Sequence, residues 1–304
     1  MTGPRAPFPA ETAEHPLRAS LARGEALAVH SARAMKAMMF VNDHSLVTEA
    51  IVAQAAGMIE NLAAQLASHG SGSAASAAAR TTLFETLLRV KELRVHCHGL
   101  ALEWHLSLSL EQERALDPVL SPMLQLLVEQ EDEGTAALAM AALTAQARFA
   151  QAQRRMELSL AELPAELFHH VLAIARDIRP GWEVETEWEL RNDFDEGTGR
   201  LALLARLSLE SAAHWGNEFA VEKLGVALWL SALRAHTGED RERLSGAAAN
   251  PHPGRLLLVL RAAGMSPGEA ERQVLFIHPN AEIPAGLQDV GTREAAQWLG
   301  EACR

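Results

Sequence analysis

The chain has 304 residues, 48% hydrophobic and 22% charged, with a formal net charge of -12. That length supplies ample material for a buried core. The acidic balance, with lysine only at Lys36, Lys91 and Lys223, excludes the broad basic face that a general nucleic-acid binder needs to neutralise phosphate.

Ala, Leu, Glu and Arg dominate, while aromatic residues make up 5% and tyrosine is absent. All four dominant residues favour helix, so an all-α protein is expected. The two cysteines, Cys97 and Cys303, are too far apart in sequence to suggest a disulfide framework and point to a reducing, cytoplasmic setting. The opening "MTGPRAPFPAETAEHP" lacks the apolar core of a secretory signal. No apolar run approaches the about 18 residues of a membrane span, so no membrane partner is expected.

Residues 1–15 are proline-rich and read as disordered. A helical N-terminal region follows over 16–70, with two helices expected to meet near Asn42-Asp43 and a stop at His69-Gly70. The small-residue run "SGSAASAAAR" reads as a flexible linker over 71–80, ahead of a helical body over 81–304. Thr82 with Glu85 predicts a capping box before "LFETLLRVKELRVHCHGLALEWHL". Asp117-Pro118 and Ser121-Pro122 place prolines near helix starts, and a long helix begins near Gly134. Ser159 with Glu162, and Ser266-Pro267-Gly268-Glu269, predict two further boxes. "WEVETEWEL", Trp182 to Leu190, alternates as a strand does. With no partner strand of similar pattern its backbone groups would go unpaired, so helix is favoured. "GRLALLAR" and "GRLLLVLR" match at Gly199/Gly254, Arg200/Arg255, Leu201/Leu256, Leu203/Leu258 and Arg206/Arg261, a faint repeat of the kind stacked helix pairs leave.

The stretch "RVHCHGLALEWH" gathers His96, Cys97, His98 and His105. At about 100° per residue, Val90, Leu93, Cys97, Leu100 and Trp104 form one apolar stripe, so Cys97 faces the core as an inert thiol. His96 and His98 then lie about 200° apart and do not share an ion from this helix. His105 returns to the flank of His98, but roughly 10 Å along the axis. A metal site would need His98 and His105, or His96, with His169 and His170 of a second helix. Core and flank histidines are the expected reading, with no metal and no cofactor.

His30, with Ser31, Ala34 and Lys36 nearby, loosely resembles the exposed histidine of a phosphotransfer domain, against which stands an ordinary surface histidine. Arg148 and Arg155, seven apart, are expected to share a helix face, either as an anchor for an anion or partner or as structural partners of acids. "NDFDEG" hints at a calcium loop without its ligand spacing.

The runs "TAALAMAALTAQARFAQAQRRMELSLAELPAELFHHVL", "GRLALLARL" and "RLLLVLRAAGMSPGEAERQVLFIHP" resemble the bacterial family catalogued as domain of unknown function 2336, over about the last two thirds of the chain. The resemblance implies an all-helical fold with HEAT-like stacking, helix through Trp182 to Leu190, and no catalytic residue. The expectation is an α-solenoid-like body offering an extended surface to a protein partner, hence a non-enzymatic adaptor or regulatory module. The alternatives are phosphotransfer through His30 and a metal-dependent enzyme built on the histidine clusters.

Overall fold

Helix propensity wins throughout the described residues. The computed structural model describes residues 16–27, 49–68, 73–179, 182–210 and 220–302, and every long element among them is α-helical, with no strand. The helices are α1 (16–27), α2 (Glu49–Ser68), α3 (Ser73–Leu87), α4 (Lys91–Arg114), α5 (Pro122–Val128), α6 (Glu133–Gln153) and α7 (Ala165–Ile178). They continue as α8 (Val184–Asp193), α9 (Arg200–Glu210), α10 (Val221–Thr237), α11 (Arg241–Ala249), α12 (Gly254–Ala262), α13 (Pro267–Ile277) and α14 (Thr292–Ala302).

Several local expectations meet the structure directly. Ser121 caps α5 by accepting from the Leu124 N–H, and Asp132 caps α6. Ser266 and Glu269 form the full reciprocal box at the start of α13. "WEVETEWEL" is helical from Val184, and α8 buries none of its residues.

Others need correction. Residues 73–80, expected within a linker, belong to α3. Alanine has the highest helix propensity, and here that outweighs the absence of bulky side chains. Thr82 therefore sits inside the helix and donates its hydroxyl to the Ala78 carbonyl, 3.2 Å away, instead of capping. The helix start falls later, after a break at 88–90. Ser159 caps only a single 3-10 turn, Leu160–Glu162, because Pro164 ends it before α7. The proposed meeting of helices near Asn42-Asp43 and the N-terminal stretch 1–15 lie outside the described residues.

The apolar side chains collect in two cores. One surrounds Trp229 and draws on α1, α5, α9, α10, α11, α12, α13 and α14. The other contains Met58, Trp104 and Phe168 and draws on α2, α3 and α7. α4 and α6 run through both. On α4 the residues Leu93 to Trp104 serve the second core, and Leu106 and Leu110 the first. On α6, Ala145 belongs to the first and Phe149 to the second. α2 shares its core with α3 and α4, so residues 73–80 do not separate two cores.

α1 is held from the far end of the chain. A Cβ placed on Gly254 would stand 2.5 Å from the Leu21 nitrogen and 2.7 Å from the Ser20 carbonyl carbon. Only a glycine lets α12 approach the α1 backbone so closely. Gly254→Ala is expected to lower stability by about 1–3 kcal/mol, the usual cost of overpacking. Trp229 is fully buried, and Trp229→Ala should cost about 3–5 kcal/mol. Thermal melting measures both; an unchanged melting temperature for Trp229→Ala would refute its place at the centre of the core.

Candidate functional site

The site begins with Gly99. A Cβ there would stand 2.9 Å from Glu242 Cγ and 3.1 Å from Glu242 Cα, so α11 lies unusually close to α4. His96 and Glu103 are three residues before and four after Gly99, on the same helical face. The close approach therefore brings both against the first turn of α11.

Glu103 is buried, and two arginines close on it. Arg241 donates from Nε to Oε2 and from Nη2 to Oε1, both at 3.0 Å. Arg200, the first residue of α9, donates from Nη1 to Oε1 at 2.7 Å and to Gln146 Oε1 at 3.1 Å. Arg241 also donates from Nη1 to Ser231 Oγ at 2.6 Å and from Nη2 to the Ala227 carbonyl at 2.9 Å. The Arg200 guanidinium also lies 3.7 Å from the centre of the Phe149 ring. Its backbone N–H donates to Glu162 Oε2 at 2.9 Å, which fixes the start of α9. Burial alone pushes the Glu103 carboxyl up, but the two guanidiniums and their hydrogen bonds outweigh it and hold it at about 2. Burial likewise pushes the Arg241 guanidinium down, and Glu103 opposes that.

Beside this cluster, His96 Nδ1 lies 3.0 Å from Glu242 Oε1. Burial raises the Glu242 carboxyl, yet the hydrogen bond from His96 leaves it below its ordinary value. An ionised carboxylate only accepts, so Nδ1 carries the proton and Nε2 points the other way. The His96 side chain is 4% exposed, and Nε2 has no hydrogen-bond partner among the described residues.

His96, Arg241 and Glu242 line a cleft of about 1070 Å³ bounded by α4, α7, α9 and the first turn of α11. Its walls carry Val95, Leu163, Leu167, Leu201 and Leu209. Its lining contains six carboxylates against three basic side chains.

The histidines expected to matter are thus dispersed. His96 and His170 line the cleft, whereas His98, His105 and His169 do not. His98 and His105 are half-buried, and burial lowers both below their ordinary values. His169 is exposed and accepts at Nδ1 from Arg191, 2.8 Å away. Among the described residues no group of three or more His, Cys, Asp or Glu is placed to hold a metal ion. Cys97 is fully buried, which pushes its thiol up to about 12, away from nucleophilic use.

Arg148 is exposed on α6, but Arg155 does not share its face. α6 ends at Gln153, and Met156 turns the chain at a φ of 56° against Gly57. Arg155 pairs instead with Glu157 at 2.9 Å. "NDFDEG" closes α8 and opens a 3-10 turn capped by Asp195. His30 and Cys303 lie outside the described residues. Among the described residues no helix is long and apolar enough to cross a membrane.

Glu103, Arg200, Arg241 and the Glu242 partner of His96 were not legible as a group beforehand. One signal did exist: Glu103 interrupts the apolar run "GLALEWHL", and a carboxylate within a buried stripe requires cations.

No family model, no curated protein and no solved structure matches the chain. The resemblance to the domain of unknown function 2336 rests on its sequence runs alone.

Removing the Glu103 charge leaves two buried arginines uncompensated, so Glu103→Gln should cost about 3–5 kcal/mol at neutral pH. The folded carboxyl, at about 2, lies below its ordinary 4.5, so its stabilisation is complete above about pH 4.5 and is lost as pH falls towards 2. Urea unfolding across that window should show the wild type losing more stability than Glu103→Gln. Parallel losses in the two proteins would sink this account.

Proposed function

We propose that the chain is a non-enzymatic protein-binding module, an adaptor or regulator, that takes a segment of its partner into the cleft. The observation that carries this is the pair Val95 and Leu209, which line the cleft while 43% and 67% exposed. Exposed apolar side chains rimmed by carboxylates mark interaction surfaces. The metal-dependent alternative has less support, since only His96 and His170 of its five histidines adjoin the cleft. Stacked, HEAT-like helix pairs are part of the proposal; the successive packing of α10 on α11, α11 on α12 and α12 on α13 supports them. The reducing, cytoplasmic setting is likewise proposed, on the two widely spaced cysteines. The acidic charge supports a partner other than nucleic acid.

Photo-crosslinking in the native cell tests the reading. A crosslinker at position 95 or 209 should capture a discrete protein segment, and one at Met140, which is exposed and does not line the cleft, should not. Leu209→Ser should weaken that partner's binding by about tenfold with the melting temperature unchanged, as truncating an interface anchor does. Equal capture at all three positions would overturn the proposal.

A further inference from the structure

We propose that the outward face of α8 is a second docking surface, which packs a basic amphipathic helix of a partner, with Val184 and Trp188 as its apolar anchors. It goes beyond the docking reading above, since no residue of α8 lines the cleft.

α8 buries none of its residues, yet it is held in place from one side. Phe194, which closes it, stacks on Phe168 of α7 with ring centroids 3.9 Å apart. Glu187 accepts from Arg191 Nη2 at 2.7 Å and from Trp182 Nε1 at 3.2 Å, and Arg191 also donates to His169 of α7. Trp182, Leu190 and Phe194 pack against the second core. At about 100° per residue, Val184 and Trp188 fall about 40° apart on a side turned away from Leu190. Their exposure, 81% and 64%, agrees. Trp104, Trp229 and Trp298 are buried, so an outward tryptophan on a fixed helix departs from how the chain uses this residue elsewhere. Tryptophan is also the residue type most enriched among the anchors of interfaces.

The charge beside the anchors says what covers them. Glu185, Glu189 and Asp193 recur every four residues and form a stripe along the flank of Trp188 away from Leu190. All three are exposed, and none is in an ion pair among the described residues. The nearby bases, Arg176 and Arg191, are turned to Glu187 instead. Like carboxylates four apart on a helix repel, and Asp193 in the last turn opposes the helix dipole. Cations set against the stripe remove both penalties and leave no charge stranded when water is excluded from Trp188. An apolar stripe flanked by cations at the same three- and four-residue spacing is what a basic amphipathic helix presents, and two such helices pack side by side.

Other occupants fit less well. Phosphate, nucleic acid or an anionic membrane meets the carboxylates with like charge. A second copy meeting α8 with its own α8 sets the two acidic stripes against each other.

The test uses the full chain and two synthetic helices that share one leucine stripe, flanked by lysine in one and by glutamate in the other. Fluorescence anisotropy at near-physiological salt should show the lysine helix binding at least about tenfold more tightly, with an affinity that falls as salt rises. Trp188→Ala should weaken it about tenfold, and Trp188→Phe, which keeps an aromatic anchor, by less. The triple variant Glu185→Gln, Glu189→Gln, Asp193→Asn should weaken it by a similar factor of about ten. Glu271→Gln, Glu282→Gln, Glu294→Gln, the same change of charge at exposed positions elsewhere, should leave it unchanged, as should Leu209→Ser in the cleft. Every position substituted on α8 is at the surface, and circular dichroism confirms that each variant folds. Equal binding of both helices overturns the proposal, as does binding of neither or binding that ignores Trp188→Ala. Equal weakening by the two triple variants also overturns it, since overall charge then accounts for the effect. A loss with Leu209→Ser but not with Trp188→Ala seats the lysine helix in the cleft, which overturns this surface and leaves the docking reading standing.

Discussion

The Glu103 carboxylate sits where water does not reach, and two guanidiniums are fixed by it. Taking one acid and two bases out of water is expensive, and it is tolerated only because nearly every donor finds an acceptor. Arg241 satisfies its fork with Glu103, Ser231 and Ala227, and Arg200 with Glu103 and Gln146. The cluster lies at the place where α4 and α6 pass from one apolar core to the other, between Trp104 and Leu106 on α4 and between Ala145 and Phe149 on α6. Directional charge pairs there set how α9 and α11 meet α4, a choice that apolar contacts alone leave loose. The cleft follows from that placement, since α4, α9 and the first turn of α11 supply much of its wall.

Much of the architecture was legible because it depends on local chemistry. Alanine and leucine content gives helix, and the box at Ser266 and the cap at Ser121 fix helix starts within a residue. The stripe through Leu93, Cys97, Leu100 and Trp104 places the thiol in the core, where it is found. Expectations failed where a longer-range or competing effect decided. Residues 73–80 are helical because alanine needs no core to favour helix. Arg155 left the α6 face because the chain turns at Met156, packed against Gly57 on α2, a contact across about a hundred residues that no local pattern announces.

The site itself was legible only in fragments. His96 was singled out, but with the wrong companions, since helical spacing speaks of one helix and is silent about its neighbour. Its true partner, Glu242, lies 146 residues away and reaches it only because Gly99 has no side chain. The first-turn arginines Arg200 and Arg255, matched in the faint repeat, both end in carboxylate pairs: Arg200 on Glu103, Arg255 on Glu25 and Glu239. The repeat therefore marked two helix starts anchored by charge, a more specific signal than shared leucines.

The three-charge cluster also constrains how this sequence is free to drift. With Glu103 intact, losing either arginine strips the carboxylate of half its support; with both arginines intact, losing the carboxylate leaves two like charges facing each other in a dry interior. Each single step is costly, while an apolar replacement of all three at once is not. The cluster is therefore an evolutionary lock. Descendants of this chain are expected either to keep all three charges or to have lost them together, and the precise seating of α11 on α4 would be inherited or abandoned with them.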